Sequence, residues 1–174
     1  MERIRPIKYR PDWNNIPVDM IISRMELYRS PARSERDLNE EFESTAVERT
    51  NTRIARIPPQ HTNWEELNKI FRIFDFGCMD YLSFIELPAN VGYPSHVDKL
   101  RSCNINFVRP TTDGTPVSPI KFGDTEYHWD RFFMDPSVHH EVPASTSTRF
   151  TMMCTYLNTP YDTILKYLQR DGWV

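Results

Sequence analysis

The segment YPSHVDKLRSC (residues 93–103) carries His96 and Asp98, two side chains of metal-binding type spaced two residues apart. On an extended strand, residues i and i+2 share a face, with Cα atoms about 6.6–7 Å apart. An imidazole nitrogen and a carboxylate oxygen so placed can converge on one ion. A third ligand from a neighbouring strand would complete one triangular face of an octahedron and leave the opposite positions for exogenous ligands. Taken alone, such an HxD pair is more often a hydrogen bond at a strand end than a pair of ligands. Histidines recur in PSVHHEV, at 139 and 140, after enough chain to cross a sandwich several times and return beside the first strand. By period-two alternation His140 shares a face with Val138 and Val142 and emerges from an apolar wall, while His139 points the other way with Glu141. The following TRFT places Arg149 and Thr151 on one strand face, and a planar fork of donors is the natural grip for a carboxylate. A second HxD pair, His128 and Asp130 in YHWDR, lies too close to the histidine pair for a circuit of a barrel. With Tyr127, Trp129, Phe132 and Phe133 around it, it reads as a packed turn or a substrate-facing wall. His61 reads as a surface residue.

In this order (HxD, a distant histidine, then arginine with a hydroxyl residue two positions on) the pattern resembles the 2-oxoglutarate- and iron(II)-dependent dioxygenases, over residues 79–158. The resemblance implies a double-stranded β-helix, a distorted jelly roll of cupin-like type. It implies that His96, Asp98 and His140 hold iron(II), that Arg149 pairs with the distal carboxylate of 2-oxoglutarate, and that Thr151 supports that pairing. Asn106 falls where the family often has a polar residue near the co-substrate. The implied activity couples oxidative decarboxylation of 2-oxoglutarate to hydroxylation of a substrate, either a small molecule or a protein side chain. Two other readings stand beside it. One is a non-catalytic jelly-roll module with a structural or ligand-binding role. The other is a zinc- or manganese-binding cupin isomerase, which the small supply of histidines and glycines, five of each, counts against.

The elements that must position these residues are legible in outline. Residues 1–28 alternate proline with apolar residues and read as an extended arm leading into a short strand or helix from Val18 to Tyr28. Residues 30–53 are charged and almost free of large apolar side chains, a polar loop or a lid. In HTNWEELNKIFRIFDFG, Thr62 and Glu65 have capping-box spacing, and Trp64, Leu67, Ile70, Phe71 and Phe74 recur at helical intervals. The expectation is a helix over 62–76 that buttresses a sheet. From Met79 the period becomes strand-like: MDYLSFIEL, SCNINFVRP, PIKFGDTEYHW, SVHHEV and TRFTMMCTYL are short aromatic and β-branched runs parted by turns. Strands at this spacing without helices between them predict an antiparallel sandwich or jelly roll. A closing helix over 160–170 is expected, with Thr159 as cap, Pro160 in the first turn, and Tyr161, Ile164, Leu165 and Leu168 as its apolar stripe. The fold class is therefore mostly β with flanking helices, in a single domain of 174 residues.

Composition bounds the partners. A net charge of -3 and a pI near 6.0 argue against nucleic acid, whose binders carry a basic excess. A mean hydropathy of -0.59, with no long apolar run, argues against a membrane span. The start, MERIRPIKYRPDW, is basic without an apolar segment behind it and does not read as a secretory signal. Cys78, Cys103 and Cys154 are an odd count without CxxC spacing, as suits reduced thiols and a cytoplasmic location. The oligomeric state is left open.

Overall fold

The computed structural model describes residues 3–23, 25–27, 52–57, 79–98, 100–111 and 114–174. The helix expected over 62–76, His61, Cys78 and the polar stretch from 30 to 51 lie outside them. Eleven strands are described: β1 (Ile4–Pro6), β2 (Glu26–Leu27), β3 (Arg53–Ile57), β4 (Tyr81–Leu87), β5 (Tyr93–His96), β6 (Cys103–Val108), β7 (Ile120–Phe122), β8 (Thr125–Tyr127), β9 (Arg131–Met134), β10 (His140–Val142) and β11 (Arg149–Tyr156). Two helices accompany them, α1 (Val18–Ser23) and α2 (Tyr161–Arg170), with a 3-10 turn at Trp13–Asn15.

Seven strands form one sheet in the order β1-β9-β6-β11-β4-β3-β2, and four form a second in the order β5-β10-β7-β8. Every described ladder is antiparallel. From β4 onward the chain changes sheet at almost every step: β4 large, β5 small, β6 large, the β7–β8 hairpin small, β9 large, β10 small, β11 large. That alternation makes the fold a double-stranded β-helix, a jelly roll with helices packed outside it. Arg53, the last residue of the expected polar stretch, opens β3 beside β4. The N-terminal arm contributes β1, which extends the large sheet next to β9.

The central strands β6 and β11 of the large sheet are buried on both faces, which explains why they lack the apolar–polar alternation of a half-wetted strand. Phe150, Met152, Cys154 and Tyr156 of β11 join Cys103, Ile105 and Phe107 of β6 in an outer core against Val18 and Ile21 of α1 and Ile164, Leu165 and Leu168 of α2. Phe133 stacks on Tyr161 there, with ring centroids 4.4 Å apart. Each such buried side chain contributes roughly 1.5–3 kcal/mol of transfer free energy. A second core joins the two sheets, from Ile4, Val108, Phe132 and Met134 on one side and Ile120 and Phe122 on the other. Alternation fixes what else faces this interior: Arg149, Thr151, Met153 and Thr155 of β11, Asn104 and Asn106 of β6, and Ser83 of β4.

The closing helix begins differently from the expectation. Thr159 makes no side-chain cap; the N-cap is Pro160 in an extended conformation, and its carbonyl accepts from the amides of Thr163 and Ile164. The Thr159 carbonyl instead accepts from the Cys103 thiol. At the other end Gly172 takes a positive φ of 72°, the left-handed turn that ends a helix at little cost only for glycine.

Candidate metal centre and interior arginine

β5 and β10 are neighbours in the small sheet, and their register sets His96 directly opposite His140. Their rings lie 4.2 Å apart by centroid. Each is buried, at 8% and 7% exposure, and each Nδ1 lies near the carbonyl of the residue two before it: Pro94 at 2.8 Å and Val138 at 2.9 Å. A carbonyl only accepts, so Nδ1 carries the proton in both rings and Nε2 is left as the free lone pair. Burial holds His96 below its usual pKa. Burial and then the neighbouring His96 lower His140 to about 4, so both rings are neutral near pH 7.

Asp98 completes the cluster, and the ligating atoms of His96, Asp98 and His140 all lie within 4.8 Å of one another. The aspartate does not reach the site by strand alternation, as its two-residue spacing suggested. β5 ends at His96, where pairing with β10 begins, and Asp98 sits in the loop beyond. Other contacts hold it there. Its amide donates to the Pro136 carbonyl at 2.8 Å, tying it to the turn that leads into β10. Arg101 Nη1 donates to Asp98 Oδ2 at 2.6 Å, while Oδ1 faces His96 Nε2 at 3.9 Å. Arg101 Nη1 also lies 3.9 Å from Met153 Sδ, so the loop spans from the small sheet to the large one. Two neutral imidazoles and a carboxylate, each steadied from behind, form a donor set suited to a divalent transition metal.

Arg149 enters the same interior from β11. It is buried, and burial pushes its pKa down to about 10, which still leaves it charged near neutrality. Nη1 donates to Ser118 Oγ at 3.0 Å and to the Ser118 and Pro119 carbonyls, while Nε lies 3.4 Å from Thr151 Oγ1. None of these partners is charged, and no described carboxylate pairs with it. An uncompensated buried cation is costly. Thr151 stands opposite Val108 and Asn106 opposite Phe132, and both neighbours belong to the inter-sheet core, so Thr151 and Asn106 open into that interior with Arg149. Asn106 Nδ2 is buried without a hydrogen-bond partner.

The remaining histidines and acids lie elsewhere. His139 is exposed beside His140. His128 is 70% exposed and pairs with Glu126 at 3.0 Å, while Asp130 pairs with Arg131 at 2.9 Å and Arg10 at 3.3 Å, so the second HxD is surface electrostatics. Phe132 and Phe133 are fully packed on β9. Cys103 and Cys154 are buried free thiols whose pKa values burial pushes up, which leaves them unreactive. The sequence does not single out Arg101 or Ser118. Only the three-residue step from Asp98 to Arg101 hinted at the first, and nothing local marks the second.

The sequence matches no protein-family model and no curated protein. Among solved structures, the chain is similar to a prolyl hydroxylase from Trichoplax adhaerens in complex with a hypoxia inducible factor oxygen degradation domain peptide fragment. That likeness has 15% identity and a TM-score of 0.48, and covers 62% of this chain and 63% of that one. It is also similar to the viral collagen prolyl hydroxylase of Paramecium Bursaria Chlorella virus-1, a 2OG complex, at 12% identity and a TM-score of 0.43, covering 71% and 90%. A Cupin 2 conserved barrel domain protein from Salinispora arenicola aligns at 13% identity and a TM-score of 0.39, covering 80% and 99%. These are likenesses of fold. No described helix is long and apolar enough to cross a membrane.

Proposed function

We propose that this protein is a non-haem iron(II) oxygenase that couples oxidative decarboxylation of 2-oxoglutarate to hydroxylation of a substrate. One observation carries the reading: a buried guanidinium without a described acidic partner opens into the same interior as a His-Asp-His cluster. A metal alone would explain the cluster, and an anion alone would explain the arginine. A ligand with a carboxylate at one end and metal-binding oxygens at the other answers both.

His96, Asp98 and His140 would hold iron(II) through Nε2, a carboxylate oxygen and Nε2. Iron bound there supplies the dioxygen and one-electron chemistry that no side chain performs. Arg149 would grip the distal carboxylate of 2-oxoglutarate with the donors that Ser118 and Thr151 leave free, while Thr151 keeps the guanidinium turned inward. Asn106 Nδ2 offers a further donor to a co-substrate oxygen. His96, His140 and Arg149 are all buried, and in such surroundings each of these interactions is stronger than in water. Because both imidazoles are neutral near pH 7, metal binding displaces no proton from them.

The test is thermal unfolding with iron(II) under anaerobic conditions, with and without 2-oxoglutarate. A ligand at 100 times its Kd stabilises by about 2.7 kcal/mol, or roughly 5–10 °C for a domain of this size. Wild type should rise stepwise with metal and then co-substrate. His140→Ala should lose both steps, and Arg149→Gln should keep the metal step and lose the co-substrate step. A protein that ignores both ligands is the non-catalytic module instead.

A further inference from the structure

Three buried polar side chains take no part in the scheme above. Ser83, Asn104 and Thr155 are each no more than 2% exposed, yet Ser83 Oγ, Asn104 Oδ1 and Thr155 Oγ1 have no hydrogen-bond partner. They belong together. Thr155 stands directly opposite Asn104 in the β11–β6 ladder, and Ser83 lies on the diagonal from Thr155 in the β11–β4 ladder. Such positions bring side chains within reach of one ligand. All three face the space between the sheets.

Their position along β11 is informative. Its inner face runs Arg149, Thr151, Met153, Thr155, at about 3.4 Å per residue. Met153 marks the level of the His-Asp-His cluster, because Arg101 touches both Met153 and Asp98. Arg149, with the carboxylate it would grip, lies on one side of that level. Thr155 and Asn104 lie on the other, about 7 Å beyond Met153, at the end of the sandwich where β5 stops and β10 starts. Under the oxygenase reading, this end of the interior is where a substrate would face the metal.

We propose that Ser83, Asn104 and Thr155 form the substrate-side subsite, and that it takes an uncharged group with both a donor and an acceptor, best matched by an amide. The subsite offers an acceptor lacking a donor in Asn104 and two hydroxyls that can give or take. An amide N–H answers the first and an amide C=O the second. The three side chains are themselves uncharged, and beside them Arg101 and Asp98 neutralise each other at 2.6 Å. A charged ligand group would be desolvated against neutral partners at a high cost. Were packing the only demand, apolar residues would serve as well, since replacing orphaned polar groups by apolar ones is neutral or stabilising.

This deepens the oxygenase reading and rests on it for calling the ligand a substrate. The experiment is ligand-observed NMR on the full chain with zinc(II) and 2-oxoglutarate. N-methylacetamide is the probe, with acetate, methylamine and ethanol as comparisons. The amide should bind wild type in preference to the other three. Thr155→Val and Asn104→Leu should weaken it at least 10-fold while leaving the metal- and 2-oxoglutarate-induced rise in Tm intact. Thr155→Val alone should melt no lower than wild type, which separates lost binding from lost fold. The proposal is overturned if no probe binds, if a charged probe or ethanol is preferred, or if the amide binds both variants as well as wild type, which would mean that ordered water is all these groups hold. Absence of the 2-oxoglutarate-induced rise in wild type would strike the oxygenase reading itself and is scored separately.

Discussion

At the scale of single residues, burial sets the chemistry. His96 and His140 face each other with depressed pKa values, whereas in the unfolded chain each titrates near its ordinary 6.5. Between pH 6.5 and about 4 the unfolded chain therefore binds a proton at His140 that the native state refuses, and His96 acts in the same direction, so stability rises with pH across that window and falls as pH drops through it. Urea unfolding of the metal-free protein should show a loss on the order of 2–3 kcal/mol between pH 7.5 and pH 4.5 that is absent from the His96→Gln/His140→Gln double variant. An equal slope in the double variant would assign the effect to carboxylates instead. Arg149 shows the complementary case. It stays charged despite burial, because its pKa falls only to about 10, and three oxygen acceptors, the carbonyls of Ser118 and Pro119 and the Ser118 hydroxyl, hold it without neutralising it.

At the scale of elements, the site depends on how closely β5 approaches β10. The ladder is irregular between His140 and Val142, and the chain entering β5 passes tight against the chain leaving β10. A Cβ at Gly92 would lie 2.9 Å from the Ala144 amide nitrogen and 3.0 Å from the Val142 carbonyl oxygen, and neither backbone atom can swing aside. Gly92→Ala should therefore cost about 1–3 kcal/mol and part the two histidines. Zinc affinity measured by calorimetry should fall with it. Unchanged affinity in a destabilised variant would show that the histidines are held by their backbone carbonyl contacts alone.

At the scale of the whole molecule, the two cores divide the labour. The outer core of helices against the large sheet supplies most of the apolar burial, and the thinner core between the sheets leaves room for polar groups. Leu168 is fully buried in the outer core, far in function from the metal cluster. Leu168→Ala should lower stability by about 2–5 kcal/mol, yet leave zinc affinity per folded molecule unchanged. Read beside Gly92→Ala, it separates loss of fold from loss of site. A large drop in affinity would mean that the two cores are mechanically coupled.

Much of this was legible in residue order because strand alternation is local. Donor types at 96, 98 and 140, the shared face of Arg149 and Thr151, the strands from residue 79 onward and the apolar stripe of α2 follow from period and chemistry within a few residues. Other features depend on what lies opposite in space. Asp98 owes its place to Arg101 and the Pro136 carbonyl rather than to a strand, and the start of α2 is decided by Pro160 while Thr159 turns to Cys103. The burial of both faces of β6 and β11 hid which face is the interior, so Ser83, Asn104 and Thr155 carried no sequence signal. Local periodicity determines which side chains stand together on a strand. Only the packing of two sheets and a helical layer decides which of those faces encloses the site.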